Sequence, residues 1–214
     1  MRYEDKVELV AFVAIITLLT MVAWDSYLSP YYYSIGSAMV CMIIATIPPA
    51  LRRLQVITLP LWMTGWLYIT LFLHSFGIFQ GWYSQLYWYD ELTHSLASGL
   101  GASLIFLLLV LMSEHSTRVR ISSPFYPLIM ITFMMGLGII WEVVEYLLDI
   151  VTVAVIQYSL LDTITDLMTD LAACAAASAI CLAQLYFMDV KEVSQSLHAE
   201  RLIKRYQLKY QDRA

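Results

Sequence analysis

Three short groups of residues in this 214-residue chain have the types and spacing to do chemistry. The first is Asp90-Glu91-Leu-Thr-His94. The second is Trp141-Glu142-Val-Val-Glu145, followed by Asp149. The third is Asp162-Thr-Ile-Thr-Asp166, followed by Asp170. Each reads as one face of a helix: at about 100° per residue, Asp90 and His94 stand about 40° apart, the second group shares an arc of about 60°, and the third one of about 80°. Carboxylates and imidazole spaced i,i+3 and i,i+4 are the ligands of di-iron and di-manganese helical bundles, although the full bundle pattern needs two Glu-x-x-His pairs and only Glu91 with His94 is present. The candidate metal ligands are Asp90, His94, Glu142, Glu145, Asp162 and Asp166, with Glu91 and Asp170 as candidate catalytic bases. If His94 takes part, the set favours Zn²⁺, Mn²⁺ or Fe²⁺; a carboxylate-only subset favours Mg²⁺, Ca²⁺ or Mn²⁺. Plainer roles compete at the edges. Asp90 and Glu91 also suit a helix N-terminus, Asp162 suits an N-cap, and Asp25 and Asp149 suit interfacial loops.

The elements that must position these groups follow from composition. The chain is 60% apolar and 14% charged, against about 45–50% and about 25% in soluble domains. An ordinary soluble enzyme, a disordered chain, a coiled coil and a nucleic-acid binder are thereby excluded, and the net charge of −5 offers no basic footprint. Runs without charge, read against the roughly 17–25 residues that a spanning helix needs, predict an all-α polytopic membrane protein. Its six transmembrane helices lie at about 7–24, 32–50, 56–78, 91–113, 124–148 and 162–187. Pro48-Pro49 is the expected stop of the second helix, and Ser122-Ser123-Pro124 the expected start of the fifth. Glu4, Asp5 and Glu8 make a poor signal-peptide start, so the first apolar run is expected to stay as a helix. Cys41, Cys174 and Cys181 sit in apolar runs without a CxxC pair and read as small buried hydrophobes.

Orientation comes from Lys and Arg. Arg2 and Lys6 precede the first span, Arg52 and Arg53 follow the second, Arg118 and Arg120 follow the fourth, and six more follow the sixth; these are all 12 basic residues. The alternation predicts both termini in the cytoplasm of a multi-pass protein of the plasma (inner) membrane. Residues 1–188 form the six-helix domain, and residues 189–214 a charged tail that fits either an amphipathic helix carrying Val193, Leu197, Leu202 and Tyr206 or a solvated segment. All three acidic groups then fall at the outer ends of the fourth to sixth spans, with His74 near the outer end of the third. Ala97, Ser98, Gly101, Gly138, Ala173 and Ala177 let those spans approach closely. The aromatic segment from Trp82 to Tyr89 fits an interfacial belt or a lid.

The order Asp90-x-x-x-His94, Trp141-Glu142-x-x-Glu145 and Asp162-Thr-x-x-Asp166 resembles the YjdF-like family of small polytopic inner-membrane proteins, over about Asp90 to Ala177. More loosely it is similar to VanZ-like proteins. The resemblance marks Asp90, His94, Glu142, Glu145, Asp162 and Asp166 and implies a site without naming a reaction.

A carboxylate deep in a bilayer costs about 2.5–3.5 kcal/mol on insertion scales, so the acidic faces call for a counter-charge, and no Lys or Arg lies on that side. Three functions fit. The first is a metal-dependent enzyme acting on a lipid or lipid-linked headgroup, its divalent ion polarising an oxygen or activating water. The second is a proton- or cation-coupled transporter or cation-binding protein that uses the descent from Asp162 to Asp170. The third is an assembly protein that takes a basic partner segment. HExxH, GxSxG and P-loop motifs are absent. The expected partners are the bilayer and a lipid-headgroup or cation ligand, with no nucleic acid.

Overall fold

A computed structural model describes residues 3–28, 34–116, 119–151, 157 and 159–199. The described residues are helical and contain no strand. In chain order the helices are α1 (Tyr3–Tyr27), α2 (Ser34–Ala45), α3 (Ile47–Arg53), α4 (Leu61–Gln80), α5 (Trp82–Gln85), α6 (Tyr89–His115), α7 (Phe125–Val151), α8 (Leu160–Phe187) and α9 (Val190–Ser196). Among the described residues, six segments are long and apolar enough to cross a membrane: α1, α2 with α3, α4, α6, α7 and α8. The protein is therefore a multi-pass membrane protein with the predicted number of spans.

Several predicted boundaries shift, each for a local reason. Pro48-Pro49 does not stop the second span. Thr46 is the N-cap of α3 and the prolines occupy its first turn, where a missing N–H costs nothing, so the helix continues to Arg53. The third span starts at Leu61 rather than 56. Pro60 is its N-cap, and Thr58 gives its N–H to the distant Leu197 carbonyl at 2.8 Å. Asp25 and Asp149, expected in loops, fall in the last turns of α1 and α7. Asp149 Oδ2 accepts the Gln157 N–H at 3.0 Å.

The chain divides into two compact units. The first comprises residues 1–89 and 192–214, the second Asp90–Lys191. In the first unit α1, α2 and α4 meet through Ile15, Leu19, Cys41, Ala45, Tyr68 and Leu71, and the Tyr68 hydroxyl donates to the Ala45 carbonyl at 3.3 Å. Close packing rather than water exclusion holds helices together in lipid, which explains the small Ala45 and Cys41 at the contact. Asp5 and Glu8 on α1 are paired with Arg52, at 2.8 Å and 2.7 Å. Val193, Leu197 and Ala199 after α8 are buried, whereas Leu202 and Tyr206 lie outside the described residues.

The second unit is α6, α7 and α8. Gly101 allows α7 to approach α6, since a Cβ there would meet Met134 Sδ at 2.7 Å. Phe106 packs on Tyr126, centroids 5.8 Å apart, and Ser178 donates to Met130 Sδ at 3.8 Å. The burial pattern of α7 is inverted relative to a soluble helix. Phe133, Leu137, Ile140 and Val143 are exposed while Glu142 and Glu145 are buried. A helix surrounded by lipid keeps its ionisable groups inside in this way.

Candidate metal centre

The polar residues of the second unit collect along the first turns of α6 and α8 and the last turns of α7. Tyr89 opens α6, so Asp90 and Glu91 lie in its first turn and His94 follows one turn later. On α8 the N-cap is Ser159 and not Asp162. The Ser159 hydroxyl accepts the Asp162 N–H at 3.1 Å, which places Asp162 three residues into the helix. Asp166 and Asp170 then descend the same face, both 2% exposed.

Asp90, His94 and Asp166 come together: one donor atom from each lies within 4.8 Å of the others. His94 Nε2 stands 3.6 Å from Asp90 Oδ1. Its Nδ1 is 3.1 Å from Asp170 Oδ1. The Ser98 hydroxyl donates to that same Asp170 oxygen at 2.6 Å, and the Cys174 thiol lies 3.7 Å from the Ser98 carbonyl. Gly138 completes the surroundings, because a Cβ there would fall 2.7 Å from Asp170 Oδ2. Glycine at this one position lets the carboxylate lie against the backbone of α7.

The two glutamates of α7 are not among the three donors within 4.8 Å of one another, but both are buried and interact electrostatically with that group. Glu142 is 5% exposed and neither of its oxygens is in hydrogen-bond geometry with a neighbour. The Thr163 hydroxyl acts on it from nearby, and it is close enough to His94, Asp170 and Asp162 to interact electrostatically. Glu145, also buried, interacts in the same way with Asp90, Glu142 and His94. Glu91 is half-buried, with Oε2 enclosed and unbonded. The helices that carry these carboxylates contain no Lys or Arg: none occurs from 54 to 117 or from 121 to 190. Buried carboxylates without a basic neighbour are costly while ionised.

His74 lies in the first unit, where its Nδ1 is 2.8 Å from the Tyr83 hydroxyl. The aromatic segment there wraps around Tyr89, whose hydroxyl donates to the Leu73 carbonyl at 2.7 Å; Trp82 and Tyr83 pack edge-on against its ring. The sequence reading valued Ser98 only for its size. Its position four residues after His94, hence on the same helical face, was the available sign that it belongs with the polar group.

No curated protein and no solved structure matches the chain. The family model for a predicted membrane protein, DUF2238, matches residues 9–187; this is the YjdF-like family that the spaced Asp, His and Glu residues resemble, and the chain belongs to it.

Proposed function

We propose that this protein holds a divalent cation in the second unit, at the outer face of the plasma membrane, and uses it on the headgroup of a lipid or lipid-linked substrate. The observation that carries the reading is the convergence of Asp90, His94 and Asp166 within 4.8 Å, inside helices that offer no Lys or Arg. Glu142 and Glu145 supply further carboxylate donors beside them, and Asp162 a more exposed one. The alternation of basic residues supports the outer placement. When bound, the ion would supply Lewis-acid polarisation of a phosphoryl or carbonyl oxygen, or a bound water of lowered pKa. Of the two candidate bases, Asp170 is engaged by His94 and Ser98, so Glu91 is the base in this reading.

The test is elemental analysis of the full chain purified in detergent, together with melting in the presence and absence of added Zn²⁺ and Mg²⁺. A stoichiometric ion, and a melting temperature that an ion raises in the native chain but not in Glu142→Gln or Asp166→Asn, is the expected result. Without metal, Glu142→Gln should melt higher than the native chain, because a neutral amide replaces a buried, unbonded carboxylate. Failure to retain any divalent ion, with the variants melting as the native chain does, overturns the reading.

A second reading draws on a separate observation. Asp162, Asp166 and Asp170 descend one face of α8, the first half-buried and the other two fully buried, and a carboxylate ladder is what a cation or proton path requires. Flux into proteoliposomes that Asp170→Asn abolishes would favour this reading over headgroup chemistry.

A further inference from the structure

The donor set is mixed, and its nitrogen is the member held most firmly. An ionised carboxylate only accepts, so with Asp170 ionised the contact at 3.1 Å between His94 Nδ1 and Asp170 Oδ1 is an imidazole N–H donating to the carboxylate. Asp170 is itself fixed from two directions. Ser98 Oγ donates to Oδ1 at 2.6 Å, and the bare backbone of Gly138 receives Oδ2. His94, Ser98 and Asp170 are all buried, so water does not compete for these bonds. With Nδ1 committed, Nε2 is the nitrogen left to bind a ligand. It faces Asp90 Oδ1 at 3.6 Å, longer than a hydrogen bond yet close to the spacing, about 3.4 Å, of two donors on one tetrahedral ion at about 2.1 Å. Glu142, also buried, interacts electrostatically with the same imidazole.

We infer that Asp170 is a positioning residue that presents His94 Nε2 to an ion shared with Asp90 and Asp166, and that this ion is a borderline transition metal such as Zn²⁺ or Fe²⁺ in preference to Mg²⁺ or Ca²⁺. The inference rests on the cation-binding reading above and adds the class of ion and the route by which it is selected. Imidazole suits Zn²⁺ and Fe²⁺, whereas Mg²⁺ and Ca²⁺ take oxygen. A carboxylate on the far nitrogen of a metal-binding histidine fixes its tautomer and strengthens it as a donor. Without Asp170, His94 loses the partner that orients it, and the site's preference between the two classes of ion should fall.

The experiment uses the full chain in detergent, stripped of metal and dialysed against Zn²⁺, Mg²⁺, or Zn²⁺ in large excess of Mg²⁺. The native chain should retain Zn²⁺ against Mg²⁺, and X-ray absorption of the Zn²⁺ form should report one imidazole among oxygen donors. Asp170→Asn should weaken Zn²⁺ about 10–100-fold while leaving Mg²⁺ affinity little changed. A role confined to packing would lower both alike, or only the melting temperature. Displacement of Zn²⁺ by Mg²⁺, or an absorption spectrum with oxygen donors only, overturns the inference and leaves the cation site standing. Native Zn²⁺ affinity in Asp170→Asn overturns the role of Asp170. Retention of no ion at all removes this inference together with the reading on which it rests.

Discussion

Gly138→Ala tests the geometry of the centre without touching any of its polar groups. The added Cβ would stand 2.7 Å from Asp170 Oδ2, where ordinary contact begins at 3.4 Å, so the carboxylate must retreat by about 0.7 Å. It has little freedom to do so. Its other oxygen is tied to Ser98 at 2.6 Å and to His94 at 3.1 Å, and Leu167 Cδ2 lies 3.5 Å from the same Cβ position. Tilting the carboxylate stretches one of those bonds, worth about 1.5–3 kcal/mol when one member is charged. Moving the helices apart instead is overpacking, at about 1–3 kcal/mol. Against this, alanine in a helix interior gains at most about 1 kcal/mol over glycine.

The net cost is therefore about 1–2 kcal/mol, and in a chain of this length each kcal/mol moves the melting temperature by about 2–4 °C. Gly136→Ala is the matched control. It lies on the same helix with nothing within 4 Å of the new Cβ, so it should melt at or slightly above the native temperature. Thermal melting of both variants in one detergent gives the comparison directly. If Gly138→Ala melts as high as Gly136→Ala, Asp170 is not seated against α7, and the argument that it is clamped behind His94 fails with it.

Arg52→Ala should destabilise the first unit by about 3–5 kcal/mol, since it strands the buried Glu8 without its counter-ion. Adding Glu8→Gln should recover much of the loss in the same melting assay, and no recovery would refute the ion-pair account. Gly77→Ala drives a Cβ into the ring of Tyr89, which is itself held by its bond to the Leu73 carbonyl. It should melt well below Gly65→Ala, whose Cβ meets nothing within 4 Å. Ser159→Ala removes the acceptor of the Asp162 N–H and should cost about 1 kcal/mol. Hydrogen exchange at the first amides of α8 should rise in that variant while α6 is unaffected.

The spans were legible because length and hydropathy alone decide them, and the acidic faces were legible because spacing within one helix fixes which residues share a side. What the sequence concealed depends on residues far apart in the chain. The start of α4 at Leu61 reflects the bond from Thr58 to Leu197, which no local pattern announces. The extension of α1 from the expected start at 7 back to Tyr3 takes in Asp5, whose partner Arg52 lies forty-seven positions later. The seating of Asp170 needed the register of three helices: Ser98 from α6, Gly138 from α7 and Asp170 from α8 meet at one point. Ser98 and Gly138 stood out in the sequence only for their small size, and Asp170 as a candidate base, so nothing local joined the three.

The two units handle buried acid in different ways, and the difference bears on which of them does the chemistry. In the first, Glu8 is buried near the start of α1 with an arginine supplied by the same unit, at 2.7 Å, and Asp5 shares that guanidinium at 2.8 Å. The guanidinium gives both carboxylates a counter-ion from within the same unit. In the second, Asp90, Glu142, Glu145, Asp166 and Asp170 lie on helices without one basic side chain, and His94 is the imidazole set among them. Selection for stability alone had a solution at hand in the first unit and did not use it in the second. A cluster of carboxylates kept without a resident cation is costly as a structural device and useful as a binding one, because the missing positive charge is then supplied by whatever the site takes up.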